Sequence, residues 1–176
     1  MNNSNHSNIL IIGGGCAGIS VATRLKSLKS DLSISIIEPS EKSLYQAAWT
    51  LVGAGAYDVN NTIKPMSSVM PNYVNWIKEY AESFSPESNS VKTSGGEYSY
   101  DYLVVCPGLK INFDGVAGLK ETLGKNNVCT NYSSDMAVYT WECLKNLNGG
   151  TLLFTEPPMP IKCAGAPQKI AYLAAD

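Results

Sequence analysis

The sequence predicts an α/β protein: a parallel βαβ crossover, a small antiparallel β excursion, and then the start of a second domain of the same kind. Three observations predict it. Residues 8–12 form a short apolar run that meets Gly13-Gly14-Gly15-Cys16-Ala17-Gly18. Residues 19–28 carry apolar side chains at helical spacing, and residues 33–37 make a second β-rich run that ends at Glu38-Pro39. Strand, tight turn, helix and strand in that order make the two strands parallel, joined by a right-handed crossover.

The remaining elements follow from local chemistry. Residues 44–56 are rich in aromatic and small residues, with Gly53 and Gly55 too close together for a good helix interior, so irregular structure beside a ligand is expected. Residues 73–77, 90–93 and 97–100 are short β candidates separated by turn signals such as Ser94-Gly95-Gly96 and suggest the antiparallel excursion. Residues 102–106 return to a buried strand that stops at Pro107-Gly108. Residues 134–147 have helical spacing, with Ser133 or Ser134 as cap, and end at Asn148-Gly149-Gly150. A further strand is expected over 151–155, then a proline-rich loop and a helix opening near Pro167. The expected domains are therefore 1–148 and the start of a second from 149 to 176.

Composition removes several function classes. The 176 residues carry 13 Lys plus Arg against 15 Asp plus Glu, a net charge of −2, which leaves no electrostatic footprint for nucleic acid. With 44% hydrophobic and 16% charged residues, the chain can bury a core. No stretch approaches the ~20 apolar residues needed to span a bilayer, and residues 1–8 are too polar for a secretory signal, so a cytoplasmic location is expected. Five cysteines, Cys16, Cys106, Cys129, Cys143 and Cys163, lie too far apart in sequence for paired zinc ligands, so no metal site is expected. The one histidine, His6, falls in the polar amino-terminal segment, away from any place an imidazole would serve hydrolysis.

Gly13, Gly15 and Gly18 fit G-x-G-x-x-G, in which the glycines allow the tight turn, the approach of a pyrophosphate and close helix packing. The pattern follows a strand and opens a helix. Twenty residues after Gly18, Glu38 ends the next strand, where a carboxylate can accept hydrogen bonds from ribose hydroxyls and would repel a 2′-phosphate. The unit is a Rossmann-like dinucleotide-binding domain, with the backbone of Cys16 and Ala17 in the phosphate turn. The pattern does not separate NAD from FAD, and the organisation after it leans towards FAD. The run Tyr100 to Gly108 resembles the second flavoprotein signature of the two-dinucleotide-binding oxidoreductases. That signature often ends Ala-Thr-Gly or Ala-Leu-Gly where this chain has Cys106-Pro107-Gly108; Gly108 keeps its place by the flavin.

After residues 151–155 a nicotinamide-binding domain would repeat the glycine turn. This chain instead has Pro157, Pro158 and Pro160, which lack amide donors, and Glu156, the wrong charge for a phosphate cradle. The segment presents Cys163 beside Lys162 and four residues before Pro167, where positive potential favours a thiolate. From local chemistry alone a reactive thiol and a small buried hydrophobe stand level for Cys163. Tyr45 and Trp49 equally suit the flavin border or a core, and Lys169 reads as solvated or as an anion stabiliser.

Glu38-Pro39-Ser40-Glu41 through Tyr45-Gln46, residues 49–56, and Ile161-Lys162-Cys163-Ala164-Gly165-Ala166-Pro167-Gln168-Lys169 resemble the sulfide:quinone oxidoreductases, particularly the form of mitochondria and many bacteria. The resemblance implies FAD as cofactor, held by the glycine turn, Glu38, Pro39 and Gln46, with backbone near Ala81 facing the adenine. It makes Cys163 one of two redox-active cysteines: sulfide attacks a disulfide or trisulfide, one sulfur is left as a persulfide, and electrons pass through FAD to quinone. A small sulfur acceptor would complete the cycle. Family members are more than twice this length, so the partner cysteine, the quinone pocket and the segment that docks on a membrane lie outside these residues, and membrane association is implied only for the full-length protein. Two rival readings stand beside it. An NADH:quinone or disulfide oxidoreductase of the same fold would need a second glycine turn, or a Cys-x-x-x-x-Cys pair within 44–56, and neither is present. A catalytically inactive fragment that binds a dinucleotide, or nothing, would leave apolar faces of a half-built domain unpartnered.

Overall fold

A computed structural model describes residues 5–176. In chain order the elements are β1 (His6–Ile12), α1 (Cys16–Leu28), β2 (Ile34–Ile37), β3 (Lys42–Leu44), α2 (Trp49–Gly53), β4 (Ile63–Pro65), α3 (Met66–Val69), β5 (Val74–Ile77), β6 (Ala81–Ser85), β7 (Ser90–Thr93), β8 (Glu97–Val105), α4 (Leu119–Thr122), α5 (Ser134–Lys145) and α6 (Gly165–Ala175). Contacts group them into two compact units. One takes the described residues up to Ser43 together with Lys64–Gly108, and the other takes Leu44–Ile63 together with Leu109–Asp176.

The first unit is a six-stranded sheet in the order β5-β2-β1-β8-β7-β6. β1 lies at its centre, parallel to β2 through Ile9↔Ile34 to Ile12↔Ile37 and parallel to β8 through His6↔Ser99 to Ile12↔Val105. The apolar run is unbroken because both faces are covered. Ile9, Ile11, Ile34 and Ile36 pack with Ala22 of α1, while Leu10, Ile12 and Ile37 pack with Val91 and Tyr100. Sealing one such aliphatic side chain contributes about 2 kcal/mol.

Four expectations for the sheet and its approach change. β5 belongs to the parallel part, pairing with β2 from Ile34↔Val74 to Ile37↔Ile77, so the antiparallel excursion is β6, β7 and β8. Its local composition suits either partner; the choice is made by which sheet edge is open. Residues 97–100 and 102–106 are not two strands but one, β8, whose first part pairs with β7 and which lies along β1 from Ser99 to Val105. β6 was not signalled, because its residues are mostly exposed and carry little apolar alternation. His6 opens β1, with Nδ1 hydrogen-bonded to Ser99 Oγ at 2.9 Å, instead of lying in a tail.

The second unit is helical. Trp49 and Val52 of α2 pack with Ala137 of α5 in a buried cluster. Residues 44–56, expected to be irregular, thus contain a five-residue helix, because burial of Trp49 and Val52 outweighs the poor propensity of the glycines. α5 begins at Ser134 with Ser133 in extended conformation at the cap position, and no side-chain cap bond is made there. Residues 151–155 are not a strand: the segment has β-type composition but pairs with nothing, and Leu153 is 85% exposed.

Candidate functional site

The first unit holds the glycine turn. Gly13 leaves β1 with φ +99°, and its N–H donates to Ile37 O at 2.9 Å. A Cβ there would lie 2.1 Å from the carbonyl oxygen of Cys106, whose own N–H donates to Ile12 O at 2.7 Å. Gly18, on the first turn of α1, is buried, and a Cβ would lie 1.9 Å from Gly13 O. Helix and strand meet backbone to backbone, which only glycine allows.

Glu38 closes the arrangement. Its Oε2 accepts the Gly14 N–H at 2.8 Å and its Oε1 accepts the Ser40 N–H at 2.7 Å. The Trp76 indole N–H donates to Glu38 O at 2.8 Å, so both backbone and carboxylate are held over the turn. Each carboxylate oxygen keeps a second lone pair for a ribose hydroxyl. Pro39, half-buried, follows directly; Ala81 opens β6 opposite Thr93, and Gly108 follows β8 with φ +77°.

Gln46 and Cys163 belong to the second unit. Gln46 is exposed in a short 3-10 turn, Gln46–Ala48, ahead of α2. Lys162 Nζ donates to Gln46 Oε1 and lies 5.4 Å from the centroid of the Trp49 ring. Burial pulls the Lys162 ammonium below its usual range, and the neighbouring Cys163 offsets this in part. The Cys163 carbonyl accepts from the Tyr132 hydroxyl at 3.0 Å and from the Ala166 N–H at 3.1 Å, while the residue itself is exposed. Burial, with the negative charges of Cys163 and Glu156, pushes the Tyr132 phenol up. Of the two readings for Cys163, a sealed small hydrophobe is corrected to an accessible thiol on a pinned backbone. α6 opens at Gly165, near Pro167 as expected, and Pro167 lies within its first turn, a place where its missing N–H costs nothing.

Tyr132 was missed by sequence reasoning; it lies 31 residues from Cys163 and carries no local motif. Nor could a sequence show that Lys162 joins Gln46, 116 residues away.

The arrangement fits an adenine dinucleotide. Gly15 caps α1 with no side-chain bond, no acidic residue occupies the first turn, and a Cβ on Gly15 would meet nothing within 4 Å, so the amide end of the helix is open to a diphosphate. In the second unit the Trp49 indole N–H and the Thr50 hydroxyl are buried with no partner among the described residues, which suits a ligand with acceptor atoms. No helix among the described residues is long and apolar enough to cross a membrane.

Comparison with known proteins agrees. A mitochondrial sulfide:quinone oxidoreductase of Dictyostelium discoideum is 46% identical over 175 residues, covering 98% of this chain and 39% of that protein. The mitochondrial sulfide:quinone oxidoreductase of Mus musculus is 41% identical over 171 residues, covering 97% of this chain and 38% of the relative. The crystal structure of the sulfide:quinone oxidoreductase from Aquifex aeolicus superposes with a TM-score of 0.64 at 29% identity, over 81% of this chain and 32% of that one. The chain thus spans about two fifths of the length of the curated relatives it matches. Residues 7–136 match the pyridine nucleotide-disulphide oxidoreductase profile, and with the strand-turn-helix grip and the Glu38 carboxylate in place, the chain belongs to that family of FAD-binding α/β oxidoreductases.

Proposed function

We propose that this chain carries the flavin-holding and sulfur-handling part of an enzyme that oxidises sulfide and passes the electrons to quinone. The observation that carries the reading is the state of Cys163: an exposed thiol on a backbone pinned by Tyr132 and Ala166, next to a lysine. The names of the relatives and the match of the Ile161 to Lys169 segment supply the substrate class.

In this reading hydrosulfide attacks one sulfur of a disulfide or trisulfide that joins Cys163 to a second cysteine. The attacked S–S bond breaks, a new S–S bond makes a persulfide, and the other sulfur leaves as a thiolate with the electron pair. A small nucleophilic acceptor then removes the outer sulfur. FAD, when bound, supplies the two-electron acceptor that hands reducing equivalents on to quinone. The chain's own residues bind and orient: Gly13, Gly15 and Gly18, with the backbone of Cys16 and Ala17, receive the diphosphate; Glu38 and Pro39 the ribose; Ala81 the adenine edge; Gln46 and Gly108 the flavin end. The second domain begins at about residue 149, and the whole protein contacts the membrane peripherally, where its quinone is dissolved. In the full-length enzyme, replacing Cys163 with serine should abolish sulfide-dependent quinone reduction while the bound-flavin absorbance stays. Normal turnover in Cys163→Ser would end the proposal, and bleaching by NADH but not by sulfide would favour the NADH-oxidising alternative.

A further inference from the structure

We propose that Lys162 is a positioning residue that couples the ligand contact of Gln46 to the placement of Cys163; the proposal rests on the reading above, in which Gln46 meets the flavin and Cys163 handles sulfur. The ammonium of Lys162 joins three parts of the second unit. It donates to Gln46 Oε1, it lies against the Trp49 ring at 5.4 Å, and its main chain continues directly into Cys163. The cysteine's carbonyl is held independently by Tyr132 and Ala166, so the backbone between them has two anchors, one on each side of the sulfur.

The chemistry of the glutamine gives the contact direction. A side-chain amide has one acceptor oxygen and one NH2 donor group. With Oε1 taken by an ammonium, the NH2 is the group left for a ligand, and the cation polarises the amide so that this NH2 donates more strongly. Gln46 is thereby set to meet an acceptor atom, such as a ring nitrogen, a carbonyl or a phosphate oxygen. In the same unit the indole N–H of Trp49, a residue only 4% exposed, is buried without a partner among the described residues, as are the Thr50 hydroxyl and Asn131 Oδ1. Partial burial pulls the ammonium of Lys162 below its usual range, while the residue as a whole stays exposed. Because one side chain holds the amide and its own backbone holds the cysteine, a change in either is felt at the other.

The test compares the purified protein with Lys162→Met and Lys162→Arg, reading FAD affinity by quenching of flavin fluorescence, and the rate at which iodoacetamide labels Cys163 in the flavin-free protein, by peptide mass spectrometry. In Lys162→Met, loss of a charge-assisted contact should weaken FAD binding about tenfold. The labelling rate of Cys163 should change by at least about threefold as its loop is released, roughly the effect of losing 0.6–0.7 kcal/mol of restraint. Lys162→Arg, which keeps a cation over Trp49 and a donor for Gln46, should restore both readings to within about twofold. The proposal is overturned if either reading is unmoved in Lys162→Met, or if Lys162→Arg behaves like Lys162→Met. Should Lys162→Met not accumulate as folded protein, Gln46→Ala removes the same contact from its other end and must change Cys163 labelling by at least about threefold, an unmoved rate overturning the proposal. Cys163→Ser, assayed in parallel for sulfide oxidation, separates the two ideas: activity there defeats the proposed function, whereas the FAD affinities judge Lys162 alone.

Discussion

Around the glycine turn the backbone N–H groups of Gly13, Gly14, Glu38 and Cys106 all have partners within 2.9 Å, and the isoleucines beside them are sealed. Between α5 and α6 the chain runs without strand or helix, and Leu153 and Met159 stand 85% and 77% exposed. The proposed function uses both regions, yet one is made by close packing and the other by a few directed bonds. The difference follows from what each must do. A diphosphate grip needs amides fixed in place before the ligand arrives, so its cost is met by the folding of the sheet. In the proposed function a sulfur that forms and breaks bonds has to be reached, and the Cys163 segment is held by point contacts of Tyr132, Ala166 and Lys162 rather than by burial.

The sharpest way to break this contrast is Gly18→Ala. The new Cβ would lie 1.9 Å from a backbone oxygen that has no rotamer to escape by. Loss of more than about 3 kcal/mol, the upper end for overpacking, and loss of bound flavin are expected in thermal unfolding and absorbance. A stable, flavin-loaded Gly18→Ala would show that the turn is not packed as described. Next comes a matched pair: Ile11→Ala, at a position with 0% exposure, should cost about 3 kcal/mol, whereas Leu153→Ser should stay within about 0.5 kcal/mol. Equal denaturation midpoints for the two would erase the distinction between the regions. A smaller loss than that of Ile11→Ala belongs to Tyr132→Phe, which removes one partly exposed hydrogen bond to Cys163 O. It should cost at most about 1 kcal/mol, a shift of about 2–4 °C in Tm. A larger drop would mean that the cysteine segment is braced by packing after all.

How far the sequence reveals this depends on the range of the interaction. β1, α1 and β2 are legible because burial on both sheet faces writes an unbroken apolar run, and the turn between them needs glycine at fixed offsets. Glu38 is legible for the same reason, since its place is set by the length of one crossover. The partner of β5 is not, because a strand of four residues carries no mark of which edge it will join. Residues 151–155 show the converse error: β-type composition without a neighbouring strand gives an exposed loop. At the candidate site Cys163 and Lys162 stand out by adjacency, while Tyr132 and the link to Gln46 depend on contacts across 31 and 116 residues that local chemistry does not encode.

The central strand has a consequence for biosynthesis. His6 pairs with Ser99, 93 residues further on, so one edge of β1 has no partner until β8 has left the ribosome. At typical elongation rates of about 5–20 residues per second that delay is roughly 5–20 seconds. Throughout it, an isoleucine-rich edge is available to another nascent chain, so chaperone capture during translation should depend more on the length of this wait than on the final stability of the sheet.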